Sequence, residues 1–181
     1  AYAITGATNI TSGTANFNTN ASTAGGSLSN GVLGGSGNLT VTGGTFDWSG
    51  GNMADGGTLA INPGAVLDIT SANFRQLLGH TIQNRGVVNW SAAGQVRADA
   101  GTNVLNNAGQ WNAIAGRDIN GNAAPMTFNN LAAGTLAKTG AGTTSSISGN
   151  GAFNNSGLVQ VQSGTLLTAI AGTSGGQCTG A

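Results

Sequence analysis

The chain has 181 residues, of which 33 are glycine, five are basic and five are acidic, so that its net charge is zero. Charged residues make up only 6% of the chain, against about 25% in an ordinary soluble domain, and five scattered cations exclude the basic footprint of a nucleic-acid-binding protein. No apolar run approaches the roughly 20 residues of a membrane span, so we expect neither a nucleic-acid partner nor insertion into a membrane.

A repeated unit runs along most of the chain. Each copy reads as an apolar residue, a polar residue, Asn, any residue, Gly, and then a second alternation of apolar and polar residues. A repeat of about 20–25 residues is the period of a solenoid, and period-two alternation within each copy predicts short strands. In chain order, the first apolar residues of the copies are Ile10, Leu39, Leu59, Ile82, Leu105, Phe128 and Phe153.

Each copy is predicted to contain three short strands. Gly, Asn and Pro lie between the short strands, where the chain must turn. Three strands of about four residues with three turns would make one coil. We therefore predict an all-β fold, a single-stranded parallel β-helix (β-solenoid) of about seven coils and about 34 Å in length. The third strands are expected near Met53, Val96, Ile119, Ile147 and Leu166.

Three regions are expected along the chain. Residues 1–38 form an irregular segment or a first coil with an insertion, residues 39–170 form the β-solenoid repeats, and residues 171–181 form a flexible C-terminal tail. The segment 71–79 departs from the pattern, because Phe74, Leu77 and Leu78 have helical spacing. It is either a short helical bulge that replaces a third strand or an irregular loop.

The repeat also predicts which residues share a column when the coils stack. Uncharged Asn and Thr side chains in such columns can pair between coils. The alternation places Trp48, Trp90 and Trp111 inside the solenoid rather than on an exposed sugar-stacking surface. Asn18, Asp47 and Asp68 begin a polar column beside an inward column formed by Phe17, Phe46, Leu67, Val88, Trp111, Leu136 and Val159.

The run from Phe153 to Leu166, with its Asn-x-Gly corner at 155–157, resembles the passenger repeats of large secreted bacterial adhesins. These include filamentous-haemagglutinin-like exoproteins and autotransporter passengers, and the resemblance covers roughly residues 39–170. It implies a right-handed parallel β-helix at the bacterial surface or in the extracellular space, with a role in attachment and biofilm formation.

Few residues of the chain are suited to catalysis. Asp47 and Asp68 are the only carboxylates that the register brings together, and no cation falls in their column. His80, the single histidine, is expected at a surface turn without a nucleophile beside it. Cys178, the single cysteine, forms no internal disulfide and makes no zinc site with a distant histidine. We therefore expect no catalytic, metal or cofactor-binding residues and no enzyme activity, and binding residues are left unassigned.

The sequence leaves three functions open. The first is a structural solenoid segment of a bacterial surface or secreted adhesin, with scaffolding or attachment as its role. The second is a subunit of a self-assembling extracellular filament, and the third and least favoured is a carbohydrate-active β-helix enzyme. The expected partners are further solenoid repeats or identical subunits stacked end to end, together with surface glycans or host receptors.

Overall fold

Parallel strands make up most of the computed structural model, which describes residues 2–91 and 94–180. The strands form because apolar and polar residues alternate over short runs, and glycine-rich corners separate them. The described residues contain no helix, and the predicted all-β fold is confirmed. In chain order the strands are β1 (Tyr2–Ile10), β2 (Thr14–Asn16), β3 (Ala21–Leu28), β4 (Val32–Gly34), β5 (Asn38–Val41), β6 (Gly44–Trp48), β7 (Asn52–Ala54), β8 (Thr58–Ile61), β9 (Ala65–Ile69), β10 (Arg75–Leu78), β11 (Thr81–Asn84), β12 (Val87–Trp90), β13 (Val96–Ala100), β14 (Asn103–Asn107), β15 (Gln110–Ala113), β16 (Asp118–Asn130), β17 (Thr135–Lys138), β18 (Thr144–Asn155), β19 (Leu158–Val161), β20 (Thr165–Ala169) and β21 (Gln177–Gly180).

The strands stack in parallel into three faces, which wind into a β-solenoid of about eight coils. The count is close to the predicted seven. The third face is formed by β2, β4, β7, β10, β13, the first parts of β16 and β18, and β20. The first face aligns Tyr2, Ala21, Leu39, Leu59, Ile82, Leu105, Phe128 and Phe153. The second face aligns Thr8, Gly26, Phe46, Leu67, Val88, Trp111, Leu136, Val159 and Cys178.

The predicted columns are confirmed from Leu39 onward and are wrong before it. Ile10 lies on the second face, in line with Leu28 and Trp48, and not in the column of Leu39. Phe17 and Asn18 lie between β2 and β3, outside the strands. The prediction failed because β1 and β3 each continue from the first face to the second without the Asn-x-Gly corner that marks later coils.

The two ends of the chain differ from what the sequence suggested. The described residues 2–38 form two coils, since β3 and β4 pair with both the preceding and the following coil. The Gly- and Ser-rich stretch is therefore a short coil and not an insertion. At the other end, β21 pairs with β19 within the segment that was expected to be a tail.

The third strands lie where the sequence predicted them. The coil in which the segment 71–79 was expected to replace the third strand also has one, which is β10. The predicted helical bulge at 71–79 is wrong, because only a bend over residues 71–73 precedes β10. Arg75 and Leu77 alternate into the core, while Phe74 is 62% exposed. The apparent helical spacing combined Phe74, which precedes β10, with Leu77 and Leu78, which point to opposite sides of that strand.

The core is a thin column of stacked apolar side chains, with Trp48, Trp90 and Trp111 as its largest fully buried members. The glycine of the Asn-x-Gly corner allows neighbouring coils to approach each other. A Cβ on Gly109 would lie 2.2 Å from the carbonyl oxygen of Gly86, although the φ of Gly109 is not positive. Close approach of two backbones, and not an unusual conformation, therefore requires glycine at this corner.

The C-terminal end of the described solenoid is open. A cavity of about 390 Å³ at this end is lined mainly by Phe153, Val159, Val161, Leu166 and Ile170. The first and second faces continue one layer further than the third, through residues 171–175 and β21. The position next to β20 on the third face is therefore unfilled by the described residues.

Candidate functional site: polar ladders and enclosed charges

The structure places Asp47 and Asp68 side by side, as their spacing predicted, because β6 and β9 pair these two residues directly. Thr70 donates its hydroxyl to Oδ1 of Asp47 at 2.6 Å, and Asn89 donates its Nδ2 to Oδ1 of Asp68 at 2.9 Å. Both carboxylates accept hydrogen bonds from neighbouring coils. Among the described residues neither forms an ion pair, since the one salt bridge joins Arg97 and Asp99 at 3.1 Å.

Asp99 and Asp118 accept hydrogen bonds between coils of the third face in the same way. Burial raises the pKa of Asp99, but hydrogen bonds from Asn122, Gln76 and Arg97, with the charge of Arg97, hold it below its ordinary value. Asp118 accepts from Gln95 and from the hydroxyl of Ser146. These carboxylates join one coil to the next, which is a structural role.

Amide side chains form two continuous ladders along the first face. The inner ladder, which faces the core, joins Asn84, Asn107, Asn130 and Asn155 through Nδ2–Oδ1 hydrogen bonds of 2.7, 2.8 and 2.8 Å. Its members are nearly or fully buried. The outer ladder joins Gln83, Asn106, Asn129 and Asn154 at 3.1, 2.8 and 2.9 Å, and its amides donate in the opposite direction along the rod.

The inner ladder was not among the predicted inward columns, although the repeat contains the signal for it. The Asn lies two residues after the apolar residue that begins each copy, so period-two alternation turns both toward the core. Each inner amide also donates to a backbone carbonyl of the following coil, as Asn107 does to Thr135 at 3.1 Å. The ladder therefore satisfies polar groups that would otherwise be costly to bury.

Two cations, Lys138 and Arg75, lie inside the solenoid, contrary to the expectation from the sequence. Nζ of Lys138 donates to the carbonyl of Gly140 and to the hydroxyl of Thr143, both at 2.8 Å. Desolvation lowers the pKa of Lys138. The sequence contains a signal for the inward direction of the Lys138 side chain. Leu136 and Lys138 are two residues apart in β17, so both point toward the core, and Lys138 aligns with Ala113 and Trp90 of the two preceding coils.

Arg75, the first residue of β10, is fully buried next to the bend at 71–73. Its Nε donates to the carbonyl of Trp48 at 2.8 Å, one terminal nitrogen donates to the carbonyl of Asn73 at 2.9 Å, and the other donates to the carbonyl and hydroxyl of Ser71 at 3.1 Å. Desolvation lowers the pKa of Arg75 to about 10, while the charge of Asp47 acts in the opposite direction. The guanidinium fixes the shape of the corner.

The expected surface position of His80 is wrong, because the ring is 2% exposed. Its Nδ1 lies 3.0 Å from the carbonyl of Ala54, and its Nε2 has no partner among the described residues. Burial lowers the pKa of His80, although the hydrogen bond to Ala54 and the charge of Asp55 oppose that effect. His80 therefore packs as a neutral core residue at ordinary pH.

The three tryptophans lie in the core, as the alternation predicted. Trp48 donates its Nε1 to the carbonyl of Gly51 at 3.3 Å, whereas the Nε1 atoms of Trp90 and Trp111 have no partner among the described residues. The ring of Trp111 packs edge-on against Phe128, with the ring centroids 4.9 Å apart. None of these rings is available to stack on a sugar at the surface.

In the part of the chain that the structure describes, no group of three or more His, Cys, Asp or Glu side chains is placed to hold a metal ion. Cys178 is an exposed free thiol. Within the described ranges, no helix is long and apolar enough to cross a bilayer.

Comparisons of the chain with protein-family models, with curated proteins and with solved structures found no match. The strand register is accordingly what identifies the chain as a β-solenoid repeat protein.

Proposed function

We propose that the chain is a structural β-solenoid segment of a bacterial cell-surface or secreted adhesin, with a scaffolding or attachment role and without catalysis. The observation that carries this proposal is the use of Asp47, Asp68, Asp99 and Asp118 as hydrogen-bond acceptors between coils. General acid–base catalysis needs a proton donor and a proton acceptor placed together with pKa values driven apart. These carboxylates instead hold the rod together.

The outer surface also suits a rod that displays attachment sites. Uncharged amides and hydroxyls cover much of it, as in the ladder from Gln83 to Asn154. Such groups form hydrogen bonds without the repulsion that stacked like charges would cause. A surface of this kind supports lateral contacts along the rod, and the repeat keeps those contacts at regular spacing.

The proposal is tested with beads that carry the purified chain. We expect these beads to attach to glycan-coated or host-cell surfaces more than beads carrying Trp111→Ser, whose coil stacking is disrupted. In parallel, the chain is incubated with pectate and alginate, where we expect no turnover. Turnover that Asp68→Ala abolishes would overturn the non-catalytic role, and equal attachment of both bead types would overturn the attachment role.

A subunit of an extracellular filament is the second candidate. The exposed strand edges and the apolar cavity at the C-terminal end favour stacking of identical chains. Negative-stain microscopy separates the two, because the adhesin segment predicts monomeric rods and the filament subunit predicts fibres.

A further inference from the structure

The corner between β9 and β10 presents an aromatic ring to solvent. Phe74 is 62% exposed, the guanidinium carbon of Arg97 lies 5.5 Å from the centroid of its ring, and Arg97 is itself held by Asp99. A cation over the ring stabilises it in one orientation. One face of the Phe74 ring therefore packs against Arg97, and the rest of the ring is exposed and can contact a ligand.

The corner is built to hold this ring in place. Ser71 has a φ of 66°, a conformation that residues other than glycine rarely adopt. Four hydrogen bonds from the buried Arg75 and one from the hydroxyl of Ser71 to the carbonyl of Ser49, at 2.5 Å, maintain this conformation. An apolar residue at position 75 would suit the column, which elsewhere contains Val96, Ile119 and Ile147. Arg75 therefore orders the corner at the cost of burying a charge.

Phe74 separates two polar depressions of about 590 and 340 Å³, within the range of small-molecule sites, roughly 300–1,000 Å³. The larger depression has Asn30, Asn52 and Asn73 on its walls, and Gly50 and Gly51 in its lining. Asn30 uses its Oδ1 to accept from the backbone of Gly31. Its Nδ2 and the amides of Asn52 and Asn73 donate no hydrogen bond to the described residues.

The smaller depression lies on the other side of Phe74 and is lined by Gln95 and Arg117. Arg117 is exposed and forms no salt bridge with the described residues. Polar groups with free hydrogen-bonding capacity therefore lie on both sides of one aromatic ring.

We propose that Phe74 and the two depressions form a binding site for an oligosaccharide. A pyranose offers an apolar C–H face that stacks on an aromatic ring and several hydroxyls that pair with amides, and the site supplies both. A protein partner is disfavoured, because standard protein interfaces bury about 800 Å² per partner around clustered anchors. No other exposed large apolar side chain of the described residues lines either depression.

The proposed site names oligosaccharides as the ligands for attachment, and it therefore rests on the proposed attachment role. The test screens the purified chain on immobilised neutral and acidic hexasaccharides, and then titrates the best soluble hexasaccharide against variants. Phe74→Trp keeps a stacking ring and adds a fluorophore at the site, whereas the native tryptophans are buried. Leu167→Ala is the matched control, because it removes another exposed apolar side chain on the third face.

We expect the wild type, Phe74→Trp and Leu167→Ala to bind with similar affinity, and the tryptophan emission of Phe74→Trp to change on binding. Phe74→Ala should bind at least tenfold more weakly while its circular dichroism spectrum is unchanged. The site is wrong if no hexasaccharide is retained, if Phe74→Ala binds like the wild type, or if Leu167→Ala loses as much affinity. Beads carrying Phe74→Ala that still attach to cells would overturn this site and leave the attachment role standing.

Discussion

Asn107 donates its Nδ2 to the Oδ1 of Asn130 at 2.8 Å, and both side chains lie inside the solenoid. Asn107 also accepts from Asn84 at 2.7 Å and donates to the carbonyl of Thr135 at 3.1 Å. One amide therefore joins three consecutive coils. Hydrogen bonds in a chain of this kind polarise one another and are strengthened by the low dielectric of the core.

Replacing Asn107 with Ala should destabilise the fold by about 2–3 kcal/mol, because it leaves buried polar groups without partners. Asn106→Ala, in the half-buried outer ladder, should cost about 0.5–1 kcal/mol. Urea unfolding followed by circular dichroism measures both changes. Equal losses for the two variants would contradict the assignment of Asn107 to the inside and Asn106 to the outside.

Trp111→Ser should destabilise the chain by about 3–5 kcal/mol, the usual cost of a large-to-small change in a core. The neighbouring Asn112 points outward and donates to Oδ1 of Asn89 at 2.9 Å. Asn112→Ser should therefore cost only about 1 kcal/mol. Thermal melts of the two variants test the second-face register, which a larger loss for Asn112→Ser would refute.

Gly109→Ala should cost about 1–3 kcal/mol, the usual penalty of overpacking, because its Cβ would meet the carbonyl oxygen of Gly86 at 2.2 Å. Gly43→Ala is the matched control, since nothing lies within 4 Å of a Cβ at that position and its φ is not positive. We expect the control to be neutral or slightly stabilising. A neutral Gly109→Ala would show that the coils are further apart than described.

The register of the later coils was predictable because two signals coincide there. Alternation turns Leu105 and Asn107 inward, and the glycine after them fixes where the corner falls. In the first coils the corner signal is absent, so Ile10 was assigned to the wrong face. Arg75 and His80 were not predicted inside, because their burial depends on carbonyls from other segments, those of Trp48 and Ala54. Sequence spacing does not show those acceptors.

Phe74 was missed for a related reason. Its exposure follows from the bend at 71–73, which Arg75 holds through hydrogen bonds to Ser71 and Asn73. In the sequence, Phe74 is only an apolar residue close to Leu77 and Leu78. The available signal was a charged residue aligned with the apolar residues Val96, Ile119 and Ile147 of the following coils.

His80 makes stability depend on pH. Its pKa is lowered in the folded state, so below the unfolded value of about 6.5 the unfolded chain binds more protons than the folded one. Stability should therefore be full above that pH and fall as the pH drops toward the folded pKa. Asp99 affects stability at lower pH than His80 does. Because the pKa of Asp99 is lowered in the folded state, its ionised form adds stability, which is lost as the pH falls through that folded-state pKa.

Free energies of unfolding at pH 7.5 and 5.0 test this effect of His80. The wild type should be less stable at pH 5.0, by up to about 2 kcal/mol, because about 1.4 kcal/mol accrues for each pH unit below the unfolded pKa of about 6.5. His80→Gln should lose much less over the same interval. A wild type that is equally stable at both values, or more stable at pH 5.0, would show that His80 is not buried in its neutral form.

A stacked β-solenoid requires each coil of the rod to advance by one strand spacing. Asn9 and Gln160 point outward in the same column of the second face, in the first and eighth coils. Spin labels at these two positions, in a Cys178→Ser background, give their separation by pulsed electron paramagnetic resonance. Seven strand spacings predict a narrow distribution centred at about 34 Å. A broad distribution, or a centre displaced by two or more strand spacings, would contradict the stacked β-solenoid.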